Sequence, residues 1–440
     1  MKSQSSPLTR RRFMQQLASV GVVSLQGGRL LSATSAARIK GANDRVRIGI
    51  LGCQRGDLLA RHFAEVGAEI ACICDPDEKR LAKTHKKFPD AHAVADLRRV
   101  LDDQSIDAVA VATPDHWHAP AAMLACQAGK HIYLEKPCSH NILEGRWIID
   151  TVHRFNRICQ VGTQCRSSRF IQNAIQRIRE GAIGDVLTAS AWNSQQRRNI
   201  GHVEPSTPPA GFDYDLWVGP AAWQPYRKNC HHYTWHWWYN FGTGDAGNDG
   251  VHELDIALWA LGVTTHPNRI AGYGRKLFFD DDQQFPDTQN IVFSFPADAK
   301  GRERIITYEQ RIWSPYFQGG CENGVTIYGT EGYLTLSKID GWRLYGPKNE
   351  LLQQEQGSYE ISPHAKRFLD ALRGDAHVNA DVEISHRSTS LVHLANILSR
   401  CSRGELEFDP NKERFVDCSE ANELLGRAYR DKHWAKPSKA

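Results

Sequence analysis

The sequence predicts an α/β fold in two parts: an N-terminal doubly wound parallel sheet, then an α/β domain on a large, mainly antiparallel open sheet. Three observations predict it. Strand-like apolar runs alternate with helix-like segments from Arg45 to about residue 165. Long β-rich stretches follow with a single helix among them, and helical patterning returns near the C-terminal end. At 440 residues the chain is long enough for two substantial cores.

The elements justify this reading in order. Val46–Leu51 reads as a strand, Leu58–Val66 as a helix, Ala68–Cys74 as a strand and Lys79–Lys87 as a helix. Strands at Ala108–Ala112, Ile132–Leu134 and Ile158–Val161 continue the pattern, with helices at Ala119–Ala128 and Ile142–Arg154 between them. Beyond a helix at Arg169–Glu180, β-rich runs occupy Val186–Asn193, Arg269–Phe278, Thr288–Phe295, Glu303–Arg311, Val325–Tyr328 and Tyr333–Ser337. Pro363–Leu372 and Ser385–Leu398 are helical. The expected units are a leader and linker at 1–41, a nucleotide-binding domain at 45–165, a substrate domain at 166–360 and a helical tail at 361–440.

Charge narrows the function classes. The chain carries 54 Lys and Arg against 50 Asp and Glu, but seven of those bases and none of the acids lie in residues 1–41. The remainder is mildly acidic, so bulk charge gives no support to a nucleic-acid or anionic-membrane partner. No run of apolar residues is long enough for a transmembrane helix. In the leader, Arg10, Arg11 and Arg12 precede a mildly apolar stretch, Leu17 to Leu25, and then small residues up to Ala37. That order describes a twin-arginine export signal, which places the mature protein in the periplasm. The eleven cysteines are odd in number and contain no CxxC pair, so they read as small buried hydrophobes rather than a disulfide framework.

The chemistry-bearing residues begin after the first strand. Gly49, Gly52 and Gly56 lie where a backbone must approach a pyrophosphate at a helix N-terminus, with Gln54 where a second glycine is usual and Arg55 beside it. Asp75 ends the second strand. An acid there accepts hydrogen bonds from a ribose 2′-OH and repels a 2′-phosphate, which favours NAD over NADP; Lys79 and Arg80 keep NADP open. Thr113, Pro114 and His118 follow a third strand, and Glu135, Lys136 and Pro137 a fourth, at strand ends where open α/β sheets bind ligands. A lysine beside a cationic nicotinamide has its pKa lowered and suits proton exchange with a substrate hydroxyl.

Farther on, Gly242 to Gly250 runs into a helix on which Asn248, His252, Asp255 and Trp259 share a face. One His and one carboxylate make a poor metal site, so no metal is expected. Asp249 and Asp255 fall on different faces, so this helix cannot supply the paired carboxyls of a hydrolytic glycosidase. Aromatic residues crowd the region before it, and Trp192, Trp238 and Tyr239, with Arg166, are candidate sugar-binding side chains.

Thr113, Pro114 and His118, the Glu135-Lys136-Pro137 element, and the Gly-rich segment leading to His252 and Asp255 resemble the glucose–fructose oxidoreductase/inositol dehydrogenase (Gfo/Idh/MocA) family. The resemblance covers most of residues 45–400, including Gln164 and Arg166 in the stretch from Val161 and the tail around Ser385–Ser388. It implies a Rossmann domain, an open-sheet α/β domain and a bound NAD(P). It also implies that Gly52, Gln54, Arg55, Asp75, Thr113, Pro114, His118, Glu135, Lys136 and Gln164 bind cofactor. Lys136, His252, Asn248 and Asp255 are then catalytic, with Asp255 also touching substrate. Many polyol dehydrogenases of the family carry Asp where this chain has Asn248, a departure that removes a negative charge from the proton relay.

Three functions remain at this stage. The first is an NAD-dependent oxidoreductase acting on a sugar or glycoside hydroxyl. The second is a glycosidase working by transient oxidation and elimination. The third is a cofactor-holding binding protein without turnover. Export favours a tightly held cofactor, and the resemblance implies a dimer or tetramer.

Overall fold

The computed structural model describes residues 45–299 and 301–437, so the arginine-rich leader lies outside the described residues. β1 (Arg47–Leu51) leads into α1 (Arg55–Glu65), β2 (Glu69–Cys74), α2 (Glu78–His85), β3 (His92–Val94) and α3 (Leu97–Asp102). β4 (Ala108–Val111), α4 (His118–Gln127), β5 (His131–Leu134), α5 (Ile142–Arg154) and β6 (Cys159–Val161) complete this half. The six strands pair in parallel in the order β3-β2-β1-β4-β5-β6. The order reverses between β1 and β4, and ligands bind in the crevice at such a reversal. β4 and β5 are buried along their whole length, because their apolar residues face helices on both sides.

The second half contains α6 (Arg169–Arg179), β7 (Val186–Asn193), α7 (Tyr214–Val218) and α8 (Val251–Leu261). β8 (Arg269–Arg275), β9 (Thr288–Phe295), β10 (Arg304–Arg311), β11 (Asn323–Gly329), β12 (Tyr333–Ser337), β13 (Gly341–Tyr345) and β14 (Leu351–Glu355) follow. The chain closes with α9 (Ser362–Arg373), α10 (Val382–Arg400), β15 (Glu405–Asp409), β16 (Arg414–Phe415) and α11 (Ser419–Glu423). The ten strands run β14-β13-β12-β11-β7-β10-β9-β8-β15-β16. Only β7 and β10 pair in parallel; every other pair in the sheet is antiparallel.

The two halves interlock. Phe368 of α9 packs against Phe63 of α1 and Tyr133 of β5, so a C-terminal helix completes one face of the N-terminal sheet. α10 and α8 belong to the core of the large sheet. All but Trp259 of α8 is buried, which explains why its apolar residues surround His252, Glu253 and Asp255. Between β7 and α8 the chain leaves the sheet and crosses to the other half. There Asp213 N–H donates to Pro76 C=O (2.9 Å), Glu78 N–H donates to Gly211 C=O (2.8 Å), and His232 Nε2 meets Asp77 Oδ2 at 2.9 Å.

α1 starts at Arg55 rather than Leu58, since its first three residues, Arg55, Gly56 and Asp57, carry no apolar signal. β3 and β14 escape sequence reading because they are edge strands with few buried side chains. No helix among the described residues is long and apolar enough to cross a membrane. All eleven cysteines are free and buried.

Candidate active site

A cavity of about 460 Å³ opens at the reversal point, with walls from both halves. Gly52 sits at φ +93°, and a Cβ there would stand 2.5 Å from the Ala112 carbonyl oxygen, so only glycine fits this turn. No side chain caps the N-terminus of α1, which leaves its first N–H groups for an anion. Asp75 lines the same cavity and also braces the turn. Its Oδ2 accepts from Cys53 N–H (2.7 Å) and its Oδ1 from Asp77 N–H (2.9 Å). Burial raises its carboxyl above the usual aspartate value, with the two backbone N–H groups working in the opposite direction. A bare turn at Gly52, an uncapped helix end and an acid at the strand end fit a dinucleotide.

Gln54, Arg55, Thr113, Pro114, His118 and Glu135 line the cavity as well. Gln54 accepts from Arg80 (2.8 Å), and Arg55 pairs with Glu135 (3.1 Å). The ring nitrogens of His118 lie 2.6 Å from the Pro137 carbonyl and 3.0 Å from the Thr113 carbonyl, pinning the two strand-end loops together. Burial raises the Glu135 carboxyl, but Arg55 and Lys136 outweigh it and hold the group below its usual value. Gln164 is placed differently. It is fully buried behind the wall, where its amide donates to Tyr133 and Glu135 at 3.1 Å each; it supports Glu135 and does not line the cavity.

At the other end Lys136 and His252 line the cavity from opposite halves. Lys136 Nζ donates to the Asn248 backbone carbonyl. Burial lowers its ammonium below the usual lysine range, against the pull of Asp249, Glu135 and Asp115. His252 is driven well below the usual histidine value, first by burial and then by Lys338 and Lys136. It is therefore a neutral imidazole, and its Nδ1 is buried without a hydrogen-bond partner. Ala246–Gly250, just before α8, is a single π-helical turn. A Cβ at Gly250 would sit 2.1 Å from the Tyr308 hydroxyl, so the turn packs directly against β10.

The expected common face of Asn248, His252 and Asp255 does not extend as one stripe into the cavity. Asn248 and His252 line it, whereas Asp255 is fully buried one turn on. There it takes two hydrogen bonds of 2.8 Å from Arg166 and one of 2.5 Å from Ser388. Arg166 and Asp255 thus clamp α8 to neighbouring elements and lie outside the cavity wall, not on the surface where substrate contact is expected. The aromatic candidates also lie outside the wall. Trp192 is buried on β7 with its N–H on the Cys321 carbonyl, and Trp238 is buried with its N–H on the Asn229 carbonyl. Tyr239 packs on Phe285 and Arg400. Phe212, Tyr214, Trp217, Tyr226, Trp238 and Phe241 form the crossing segment's own core, the physical reason for the aromatic density.

Several lining residues carry no sequence signal that singles them out. Asp115 is buried at the wall and accepts from the Thr243 hydroxyl (2.6 Å). Tyr233 occupies φ +73°, a conformation costing a bulky residue about 1–3 kcal/mol. Its hydroxyl accepts from the Asn248 amide (3.3 Å). His236, stacked on Trp235 at 3.6 Å, and Trp434 from the C-terminal end complete the wall. A separate group of His266, His386 and Glu413 brings three possible metal-ligand atoms within 4.8 Å of one another. Glu413 is also bound by Arg146, a cation that opposes a metal ion there, and the group lies away from the cavity.

Residues 46–163 match the model of an oxidoreductase family described as an NAD-binding Rossmann fold. Residues 186–302 and 348–435 match its C-terminal alpha/beta domain. The chain belongs to the Gfo/Idh/MocA family. Among curated Gfo/Idh/MocA relatives, the scyllo-inositol 2-dehydrogenase (NAD(+)) of Bacillus subtilis (strain 168) is 25% identical over 331 residues, 74% of this chain and 83% of that protein. Glycosyl hydrolase family 109 protein 2 of Shewanella sp. (strain ANA-3) is 32% identical over 162 residues, 34% of this chain and 35% of that protein. The match thus spans about a third of the length of that relative. In fold, the chain resembles the WlbA dehydrogenase from Bordetella pertussis, crystallised with NADH and UDP-GlcNAcA. The TM-score is 0.63 at 18% identity, covering 83% of this chain and 99% of that one.

Proposed function

We propose that this Gfo/Idh/MocA protein is an NAD-dependent oxidoreductase that moves a hydride between a carbohydrate hydroxyl carbon and a tightly held nicotinamide cofactor. One observation carries the reading. A single cavity holds the Gly52 turn and Asp75 at one end and Lys136 with a neutral His252 at the other. Held by the Gly52 turn and Asp75, NAD+ would supply the acceptor for a hydride from the carbinol carbon, and the hydroxyl proton would leave for the protein. Lys136 holds the substrate oxygen and His252 takes the proton. Asp75 selects NAD over NADP through the ribose hydroxyls.

The crossing segment, tied to Pro76, Asp77 and Glu78, supports retention of the cofactor, because it spans the chain just beyond Asp75. Retention accords with export by the twin-arginine route to the periplasm, where the protein works as a dimer or tetramer. The amide at Asn248 and the family 109 likeness over about a third of this chain favour a second reading, oxidation followed by elimination of an aglycone. Mass spectrometry of the dinucleotide released on denaturation, then a glycoside panel read by nicotinamide absorbance, tests the main reading. NAD and reduction without aglycone release are expected; aglycone release with deuterium uptake from solvent beside the oxidised carbon selects the second.

A further inference from the structure

The reading of Lys136 and His252 as the proton-handling pair leaves a gap. Proton transfer to a buried imidazole makes a cation, and burial, Lys338 and Lys136 all oppose it. A nearby carboxylate is the usual remedy. The Asn248 side chain cannot serve, since it is an amide directed to Asp245 Oδ1 (2.9 Å) and the Tyr233 hydroxyl.

The next residue can. Asp249 belongs to the π-helical turn and lines the cavity together with Lys136, Asn248 and His252. We infer that Asp249, set one position along from Asn248 in the wide turn, is the positioning carboxylate that poises Lys136 and His252 for proton transfer. The inference rests on the proposed roles of those two residues.

The surroundings fix both the place and the charge of Asp249. Arg197 bonds its Oδ2 and also pairs with Asp245 at 2.9 Å, so the guanidinium is anchored from a second side. Lys338 Nζ lies 3.7 Å from Oδ1 and is itself held by Glu253 at 2.7 Å. Burial raises the Asp249 carboxyl, but Lys338, Arg197, Lys136 and His252 overrule this and keep it ionised. Glu322 and His236 also face this cluster, from the bend before β11 and from the crossing segment. Around Lys136, Asp249 is the strongest of the anions favouring the ammonium, ahead of Glu135 and Asp115, with Arg55 opposing. Around His252, Asp249 favours the imidazolium against Lys338, Lys136 and Arg55. One carboxylate therefore supports both members of the pair, and loss of its charge lowers both titrations.

The test is single-turnover reduction of the bound cofactor by an oxidisable glycoside across about pH 5 to 11, with NMR titration of isotopically labelled Lys136 in the cofactor-loaded protein. Asp249→Asn is expected to move the Lys136 titration down by about 1–3 pH units in both readouts. It should slow the plateau rate about tenfold or more. Asp249→Glu should restore the profile toward that of the native protein. If Asp249→Asn does not fold, Asp249→Asn/Arg197→Gln read against Arg197→Gln alone carries the same comparison. Superimposable profiles and titrations overturn the inference and leave the roles of Lys136 and His252 standing. If no carbohydrate reduces the native cofactor, those roles fall, and the substrate-free NMR titration still decides the effect of Asp249 on Lys136.

Discussion

Asp75 spends both oxygens on backbone N–H groups, those of Cys53 and Asp77, so it shapes the Gly52 turn as well as facing the cofactor space. Asp75→Ala therefore removes a brace and a ribose acceptor together. NAD binding is expected to weaken by about 1.5–3 kcal/mol, and NADP to improve relative to NAD with Arg80 close by. Calorimetric titration of stripped protein with each dinucleotide checks this; equal loss for both would assign Asp75 to the turn alone. At this scale the nucleotide end was legible, because strand ends and glycine spacing locate residues by chain position. Asp249 was not. Its surroundings depend on a π-helical turn and on Arg197 and Lys338, which come from distant parts of the chain and leave no local pattern around Asp249.

α8 shows how an element can mislead. Asp255 sits one turn from His252 and bears a carboxylate, yet its bonds go to Arg166 and Ser388, so it anchors the helix that presents His252. Asp255→Asn leaves the buried Arg166 guanidinium without its anion. Breaking such a pair costs about 3–5 kcal/mol, which denaturant unfolding should register while released cofactor remains NAD. A loss below about 1 kcal/mol would mean that Ser388 and neighbouring groups suffice. The crossing segment makes the same point for aromatics. Residue type alone does not separate Trp217, which reaches the cavity wall, from Trp192 and Trp238, which are packed behind it. Asp77→Asn weakens the tie to His232, and faster loss of bound dinucleotide on dilution and gel filtration is the expected outcome. Unchanged retention would remove the crossing segment from the account of cofactor holding.

The alternation of strands and helices, then the long β-rich runs, made both sheets legible; the joining of the halves by α9 and the crossing segment depends on contacts between residues far apart in the chain. The whole molecule also buries many histidines. Burial lowers His116, His236 and His393 to about 3, and His131 and His364 to about 4, from an ordinary 6.5. Below pH 6.5 the unfolded chain takes up these protons and the folded chain does not. Stability therefore falls as pH drops from about 6.5 toward 4, by up to about 1.4 kcal/mol per pH unit for each histidine. A melting temperature that is clearly lower at pH 5 than at pH 7.5 is expected, and a flat profile would contradict it. The proposed function requires residues from the two halves to meet in one cavity and move a proton and a hydride together. It is tested most directly by the single-turnover rate of bound-cofactor reduction in Lys136→Ala, His252→Ala and the double variant. Each single change should leave the cofactor bound and slow reduction by about 10²–10⁴, and the double should be little worse than either. Native rates in both single variants, with a substrate that reduces the native protein, would place the proton-handling groups elsewhere.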